Sequence, residues 1–141
     1  MNEDVVIIAV SPDGVEQIRI TFSKQSFRNL QQVVASILGA TLRQDEDDSI
    51  LLRLPNTYPR KQRNNLAKFL LHPEREGTLN DDEVSSLRDA LNYKLTNEPK
   101  IVQSILNKQN QYYATLTPTK WEQFLDFLNA SWMNKLNWFF L

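Results

Sequence analysis

The chain has 141 residues, 41% hydrophobic and 23% charged, which is typical of a soluble globular protein rather than a disordered or fibrous one. With 16 Lys and Arg against 17 Asp and Glu, the formal net charge is −1 at pH 7, so overall charge favours neither nucleic acid nor an anionic membrane as a partner. Cysteine is absent, which excludes disulfides, thiolate nucleophiles and cysteine-ligated metal sites.

Length and linker content predict a single domain over residues 1–141, because no stretch is long or flexible enough to divide the chain. Within it we distinguish an α+β part over 1–55 and a helical part over 56–141. The start at residues 1–4 is acidic where a signal peptide would be basic. No run approaches the roughly 20 apolar residues that span a bilayer. We therefore expect a cytoplasmic protein with no membrane span.

The pattern over residues 1–55 predicts an antiparallel ββαββ unit. Residues 5–10 are a continuous apolar run, and residues 17–22 alternate apolar and polar side chains, which indicates a hairpin with its first strand central. Residues 24–38 have helical periodicity and are followed by Gly39, a favourable helix stop. Alternation resumes over residues 40–54 and predicts a second hairpin, whose turn holds four consecutive acids.

Only helical patterns follow residue 55, and they predict about four helices. The first runs from Pro59 to about Leu71, and the second begins with a capping box at Asn80. A third begins at Pro99, and the last is long, aromatic-rich and begins near Thr117. That start fits either a Thr117 cap or a capping box of Thr119 and Glu122. The predicted fold class is therefore α+β.

The C-terminal helix has a predicted core stripe and aromatic residues outside it. The stripe residues fall within about 60° of one line on the helix: Trp121, Phe124, Leu125, Leu128, Trp132, Leu136 and Phe139. Phe127 and Trp138 lie about 110° to one side, Phe140 lies to the other, and Leu141 ends the chain. The helix is therefore either wedged between two elements or partly exposed. These four residues are the predicted partner-binding surface.

A second candidate surface lies at the start of the helix that Pro59 opens. Arg60, Lys61 and Arg63 place positive charge where a helix already presents unpaired N–H groups, and Lys68 extends the surface by one turn. A phosphate or carboxylate would relieve this charge, and Tyr58 could stack on a base. Ion pairs with nearby acidic residues are the alternative explanation, and the one we favour.

Candidate catalytic and metal-binding residues each have a simpler structural explanation. His72 is the one histidine, and it stands at a predicted helix end, where positive charge is favourable. The acidic run 45–48 lacks the glycine and the final glutamate of an EF-hand loop. Residues 81–83 are acidic as expected of a helix start. With 3 glycines the chain has no phosphate-binding glycine motif. We expect no catalytic site, metal or cofactor.

Two functional hypotheses follow. The first is a non-catalytic adaptor, scaffold or assembly factor that binds a partner protein or peptide through an apolar groove or patch near the C-terminal helix. The alternative is a small nucleic-acid-binding regulator that uses the basic helix start at 60–68. The surplus aromatic residues could also form a homodimer interface.

Overall fold

The computed structural model describes residues 4–112 and 115–129, and it confirms the predicted α+β class. Five strands and five helices follow one another along these residues. The strands are β1 (Val5–Val10), β2 (Gln17–Phe22), β3 (Thr41–Gln44), β4 (Ile50–Arg53) and β5 (Gly77–Leu79). The helices are α1 (Lys24–Ile37), α2 (Arg60–Leu70), α3 (Asp81–Asn97), α4 (Pro99–Tyr112) and α5 (Pro118–Asn129).

The central sheet has the strand order β2-β1-β5, so β1 is the middle strand, as predicted. β1 pairs antiparallel with β2 and parallel with β5, where Ile7 lies opposite Gly77. The expectation of helices alone after residue 55 is wrong for residues 77–79. Three residues are too few to show an alternating pattern, and their strand conformation depends on β1, which is distant in the sequence.

β3 and β4 form a separate two-stranded antiparallel sheet, with Leu42 opposite Leu52. The two predicted hairpins are present, but they do not join into one sheet. Leu42 and Leu52 are partly buried against the core. The Gln32 side chain on α1 donates a hydrogen bond to the Leu42 carbonyl oxygen at 3.1 Å. The ribbon is therefore held on α1 along its β3 side.

Side-chain caps explain where three helices begin. The Ser23 hydroxyl accepts a hydrogen bond from the N–H of Ser26 at the start of α1. Asn80 and Glu83 form the predicted capping box of α3. At α5, the Thr117 hydroxyl accepts from the N–H of Lys120 at 3.2 Å, which decides between the two predicted starts in favour of Thr117.

The core is built on four phenylalanines from four different elements. The ring centroids of Phe22 and Phe27 are 5.9 Å apart, and those of Phe27 and Phe69 are 5.8 Å apart. Phe124 completes the circuit, at 5.4 Å from Phe69 and 6.4 Å from Phe22. Such edge-on, tilted and stacked pairs add to the energy of burial. The circuit ties α5 to β2, α1 and α2.

The predicted stripe of the C-terminal helix is confirmed over the residues that the structure describes. Trp121, Phe124 and Leu128 are buried, and Leu125 is partly buried against the core. α5 packs against both α3 and β2, so it is wedged between two elements. The remaining stripe residues lie outside the described residues: Trp132, Leu136 and Phe139.

Candidate functional site

A hollow of about 510 Å³ lies between β2 and α5, and we call it the β2–α5 groove. Its lining consists of Ile18, Arg19, Ile20 and Thr21 from β2 and of Lys120, Gln123, Asp126 and Phe127 from α5. Successive side chains of a strand point to opposite faces of its sheet. Four consecutive residues can line the same hollow only if the hollow runs along the edge of the strand. The groove therefore follows the outer edge of β2.

Hydrogen-bond alternation shows which main-chain groups of β2 point into this groove. The Ser11 N–H donates to the Glu16 carbonyl oxygen at 3.0 Å, which identifies the hydrogen-bonded pairs of the β1–β2 ladder. Because such pairs alternate in an antiparallel ladder, Gln17, Arg19 and Thr21 direct their N–H and C=O groups away from β1. Among the described residues, no strand pairs with this edge. The groove thus contains an open sheet edge.

The opposite wall of the groove is one side of α5. Lys120, Gln123 and Phe127 follow one another at helical spacing of three and four residues, which places them on the same side. The Lys120 ammonium nitrogen lies 5.4 Å from the centroid of the Phe22 ring. With exposed Arg19 and Asp126, the groove presents both signs of charge beside an apolar floor.

Phe127, predicted to bind a partner, forms part of the groove floor. Its ring stacks on that of Phe124, with centroids 6.4 Å apart and an interplanar angle of 18°. Only 6% of the residue is exposed, and it lines the groove together with residues of β2. Helical angles can show that such a residue needs a second neighbour, but they do not identify the neighbour. Partner binding by Phe127 stays a prediction.

The other three residues of the predicted partner surface lie outside the described residues: Trp138, Phe140 and Leu141. The sequence did not single out β2 as a binding element. The alternating pattern of β2 predicts that one face of the strand is exposed to solvent. Whether one edge of the strand is unpaired depends instead on the strand order of the sheet. A strand order of β2-β1-β5 leaves β2 at the edge, and that order could not be read from local patterns.

A second, smaller hollow of about 400 Å³ lies on the other flank of α5, against α3 and α4. Its apolar lining includes Leu95, Leu106 and Trp121. The Gln109 side-chain oxygen is buried and has no hydrogen-bond partner among the described residues. This hollow is bounded by helices and by the segment before α5, so it offers no strand edge to an incoming peptide.

Of the basic residues predicted at the start of α2, Arg60, Lys61 and Arg63 lie at its beginning, whereas Lys68 lies in its last turn. Arg60, Lys61 and Lys68 are exposed, whereas Arg63 is partly buried and its Nε has no partner among the described residues. The Lys61 ammonium lies 3.9 Å from a carboxylate oxygen of Asp82, and both side chains are exposed. An exposed pair at that distance contributes little to stability. Anion binding at this surface stays a prediction.

Tyr58, predicted to stack on a base, is partly occupied within the protein. Its hydroxyl donates a hydrogen bond to the Leu38 carbonyl oxygen at 3.0 Å. The ring packs against the core, and this burial raises the pKa of the phenol above its usual value. Stacking on a base would have to use the part of the ring that stays exposed.

The remaining polar candidates form local structure. The His72 ring lies edge-on to Phe27, with centroids 5.8 Å apart. In the acidic turn, the Ser49 hydroxyl donates to Asp47 at 2.6 Å, and this hydrogen bond lowers the pKa of Asp47. Within residues 4–112 and 115–129, no three His, Asp or Glu side chains converge on a position that could hold a metal ion.

Comparison of the chain with family models, with curated proteins and with solved structures found no match. None of the helices that the structure describes has both the length and the apolar character needed to cross a membrane.

Proposed function

We propose that the protein is a non-catalytic adaptor, scaffold or assembly factor that holds an extended segment of a partner protein in the β2–α5 groove. The observation that carries this proposal is the open edge of β2, which faces the side of α5 across one hollow. A peptide that adds to a sheet edge gains main-chain hydrogen bonds, while pockets for its alternate side chains provide specificity.

The dimensions of the groove support a short segment. β2 has six residues, so a matching strand would extend over about 20 Å at roughly 3.3 Å per residue. A partner side chain on the same face as Ile20 would point toward Phe127, and the side chains on either side of it would point away. We therefore expect the bound segment to carry an apolar residue between polar ones.

Selection of linear peptides from a displayed library, with titration of the enriched sequences, tests the proposal. Gln123→Trp fills the groove from an exposed position of α5 and should weaken binding by tenfold or more, about 1.4 kcal/mol. Asn64→Trp is the matched control, because Asn64 is exposed on α2 and lines none of the hollows described above. Peptides that bind both variants equally well would show that the groove is not the site.

Arg19→Pro tests the role of the strand edge separately from the groove walls. Proline removes an N–H that points away from β1, so the ladder with β1 keeps its hydrogen bonds. We expect peptide affinity to fall while the folded spectrum is retained. Ile18→Pro is the contrasting variant, because it removes a ladder hydrogen bond and should destabilise the fold.

Amide hydrogen exchange distinguishes strand addition at the edge of β2 from other ways in which a peptide could occupy the groove. Edge addition should slow exchange at the amides of Arg19 and Thr21 when peptide is added. The amides of Ile18 and Ile20 already bond to β1 and should change less. Uniform protection, or none along β2, would argue against edge addition even if a peptide binds.

Phe127→Ala is a poor test of this proposal. Truncating a buried phenylalanine typically costs about 3–5 kcal/mol of stability, so lost binding would report unfolding. The groove variants above change exposed positions and avoid this ambiguity.

A further inference from the structure

The outer edge of β4 is a second exposed strand edge, remote in sequence from the β2–α5 groove. Ile50 and Leu51 are 41% and 37% exposed, so two neighbouring aliphatic side chains of this four-residue strand are accessible to solvent. Among the described residues, β4 pairs with β3 alone. A two-stranded ribbon with an open apolar edge is a surface on which another strand can add.

The alternation of hydrogen-bonded pairs between β3 and β4 shows which main-chain N–H and C=O groups of β4 point away from β3. The Asp45 N–H donates to the Ser49 carbonyl oxygen at 2.8 Å, so the pair of Arg43 and Leu51 is also hydrogen-bonded. Ile50 and Leu52 therefore direct their N–H and C=O groups outward. On the opposite side, the equivalent outward carbonyl of Leu42 already accepts from Gln32. The open edge is thus that of β4.

We propose that two copies of this chain pair antiparallel through β4, about a two-fold axis at Leu51. This register places Ile50 of one copy opposite Leu52 of the other, and both residues have outward main-chain groups. It forms four main-chain hydrogen bonds between the copies. Leu51 meets Leu51 of the second copy as a close, non-hydrogen-bonded pair. The two ribbons become one four-stranded sheet.

Charge complementarity favours a second copy over an unrelated strand. In this register Arg53 lies opposite Ser49 of the second copy, next to the acidic turn that contains Asp47 and Asp48. Neither Asp47 nor Asp48 forms an ion pair among the described residues. The hydrogen bonds from Ser49 lower the pKa of Asp47, so its carboxylate stays charged at neutral pH. The same complementary pairing occurs at both ends of the interface.

The interface is small, so the dimer should be weak and dependent on concentration. Four residues a side bury less than the roughly 1,200 Å² of a standard stable interface. We expect sedimentation to show a reversible monomer–dimer equilibrium. Leu51→Lys should shift it toward monomer by at least about tenfold, because it places like charges opposite each other at the axis. Val15→Lys is the control, since Val15 is 77% exposed in a distant turn.

The cysteine-free chain allows a direct test of the register. Leu51→Cys should form a disulfide-linked dimer under mild oxidation, since cross-strand Cβ atoms of such a pair are about 4.5–5.5 Å apart. Leu52→Cys should cross-link more slowly, because Leu52 faces Ile50 of the second copy. Val15→Cys provides the rate of random collision. Cross-linking of Leu51→Cys no faster than this rate, or faster linkage at Leu52, would overturn the proposal.

Charge reversal tests the ends of the interface. Arg53→Glu should weaken the dimer, and Asp47→Lys together with Asp48→Lys in the same chain should restore it. A wild-type chain that sediments as a monomer up to its solubility limit would also overturn the proposal. The variants Gln123→Trp and Arg19→Pro should leave the monomer–dimer equilibrium unchanged. The dimer proposal is therefore tested independently of peptide binding in the β2–α5 groove.

Discussion

The imidazole ring of His72 lies against the α-carbon of Gly77. A β-carbon at residue 77 would come 1.9 Å from Nε2 of His72 and 2.5 Å from Cε1. The ring is held in place, because it packs edge-on to Phe27 and its Nδ1 lies 2.6 Å from the Pro73 carbonyl oxygen. Gly77 is therefore required for space at the point where β5 joins the sheet.

We predict that Gly77→Ala lowers the free energy of unfolding by about 1–3 kcal/mol, the usual range for an overpacked site. Urea unfolding measures this loss. In a His72→Ala background the ring is absent, so the same alanine should cost much less. Equal costs in the two backgrounds would show that the ring is not the obstacle.

Gln31 connects α1 to the end of α2, and its replacement should be costly. The buried Gln31 side chain donates to the carbonyl oxygens of Phe69 at 3.1 Å and His72 at 3.0 Å. Gln31→Leu removes this donor and should lower the free energy of unfolding by about 1–3 kcal/mol.

The neighbouring residue offers a matched control for that substitution. Gln32 also donates to a carbonyl oxygen, that of Leu42, but it is exposed, so water can replace the bond. Gln32→Leu should cost less than about 1 kcal/mol. Similar urea midpoints for the two variants would contradict the proposed role of Gln31.

Tyr58 should make stability sensitive to alkaline pH. Burial is the largest cause that raises the pKa of its phenol, the charge of Glu98 adds to it, and the charge of Lys94 opposes it. Because the folded pKa lies above the unfolded value of about 10, the neutral phenol contributes stability below about pH 10. That contribution is lost as pH rises through the folded pKa.

Tyr58→Phe tests this by removing both the hydrogen bond to Leu38 and the titration. We expect a loss of about 1 kcal/mol at neutral pH and a weaker decline above pH 10, measured by urea unfolding across pH. Tyr93→Phe serves as the control, because Tyr93 is 63% exposed. If both variants decline alike, the buried phenol is not responsible.

The nucleic-acid alternative has its own prediction. If the start of α2 binds nucleic acid, single-strand binding should weaken with added salt for every sequence tested. Replacing Arg60 and Lys61 with alanine should then reduce both affinity and the salt slope. Replacing Lys100 and Lys108 on α4 changes the net charge equally and should have a smaller effect. Titration followed by fluorescence anisotropy measures both affinities. If the replacements on α4 weaken binding as much as those at the start of α2, the nucleic-acid hypothesis for this surface is wrong.

Most elements could be predicted because their signals are local. The run from Val5 to Val10 is apolar on both faces, and only a central strand hides both. Gly39 ends α1 with φ +75°, a conformation that glycine adopts without strain. Asn80 and Glu83 stand at the spacing of a capping box and form one. In each case the residues that determine the local structure lie within or next to the element that they form.

The candidate site could not be predicted in the same way, because its walls are distant in sequence. The angle of Phe127 on its helix shows that it leaves the stripe, but the strand that lines the groove with it precedes it by about a hundred residues. The open edges of β2 and β4 depend on how the strands assemble into two sheets. Both edges follow from tertiary pairing, which short-range patterns do not contain.

The parallel pairing of β1 with β5 also bears on how the chain folds. β1 meets β2 through one short turn, whereas it meets β5 only after α1, the β3–β4 hairpin and α2 have been brought together. Closing that long loop has a large entropic cost, so β5 should join after the folding transition state. Substitutions at Gly77 would then accelerate unfolding and leave the refolding rate nearly unchanged, in contrast to substitutions within the β1–β2 hairpin.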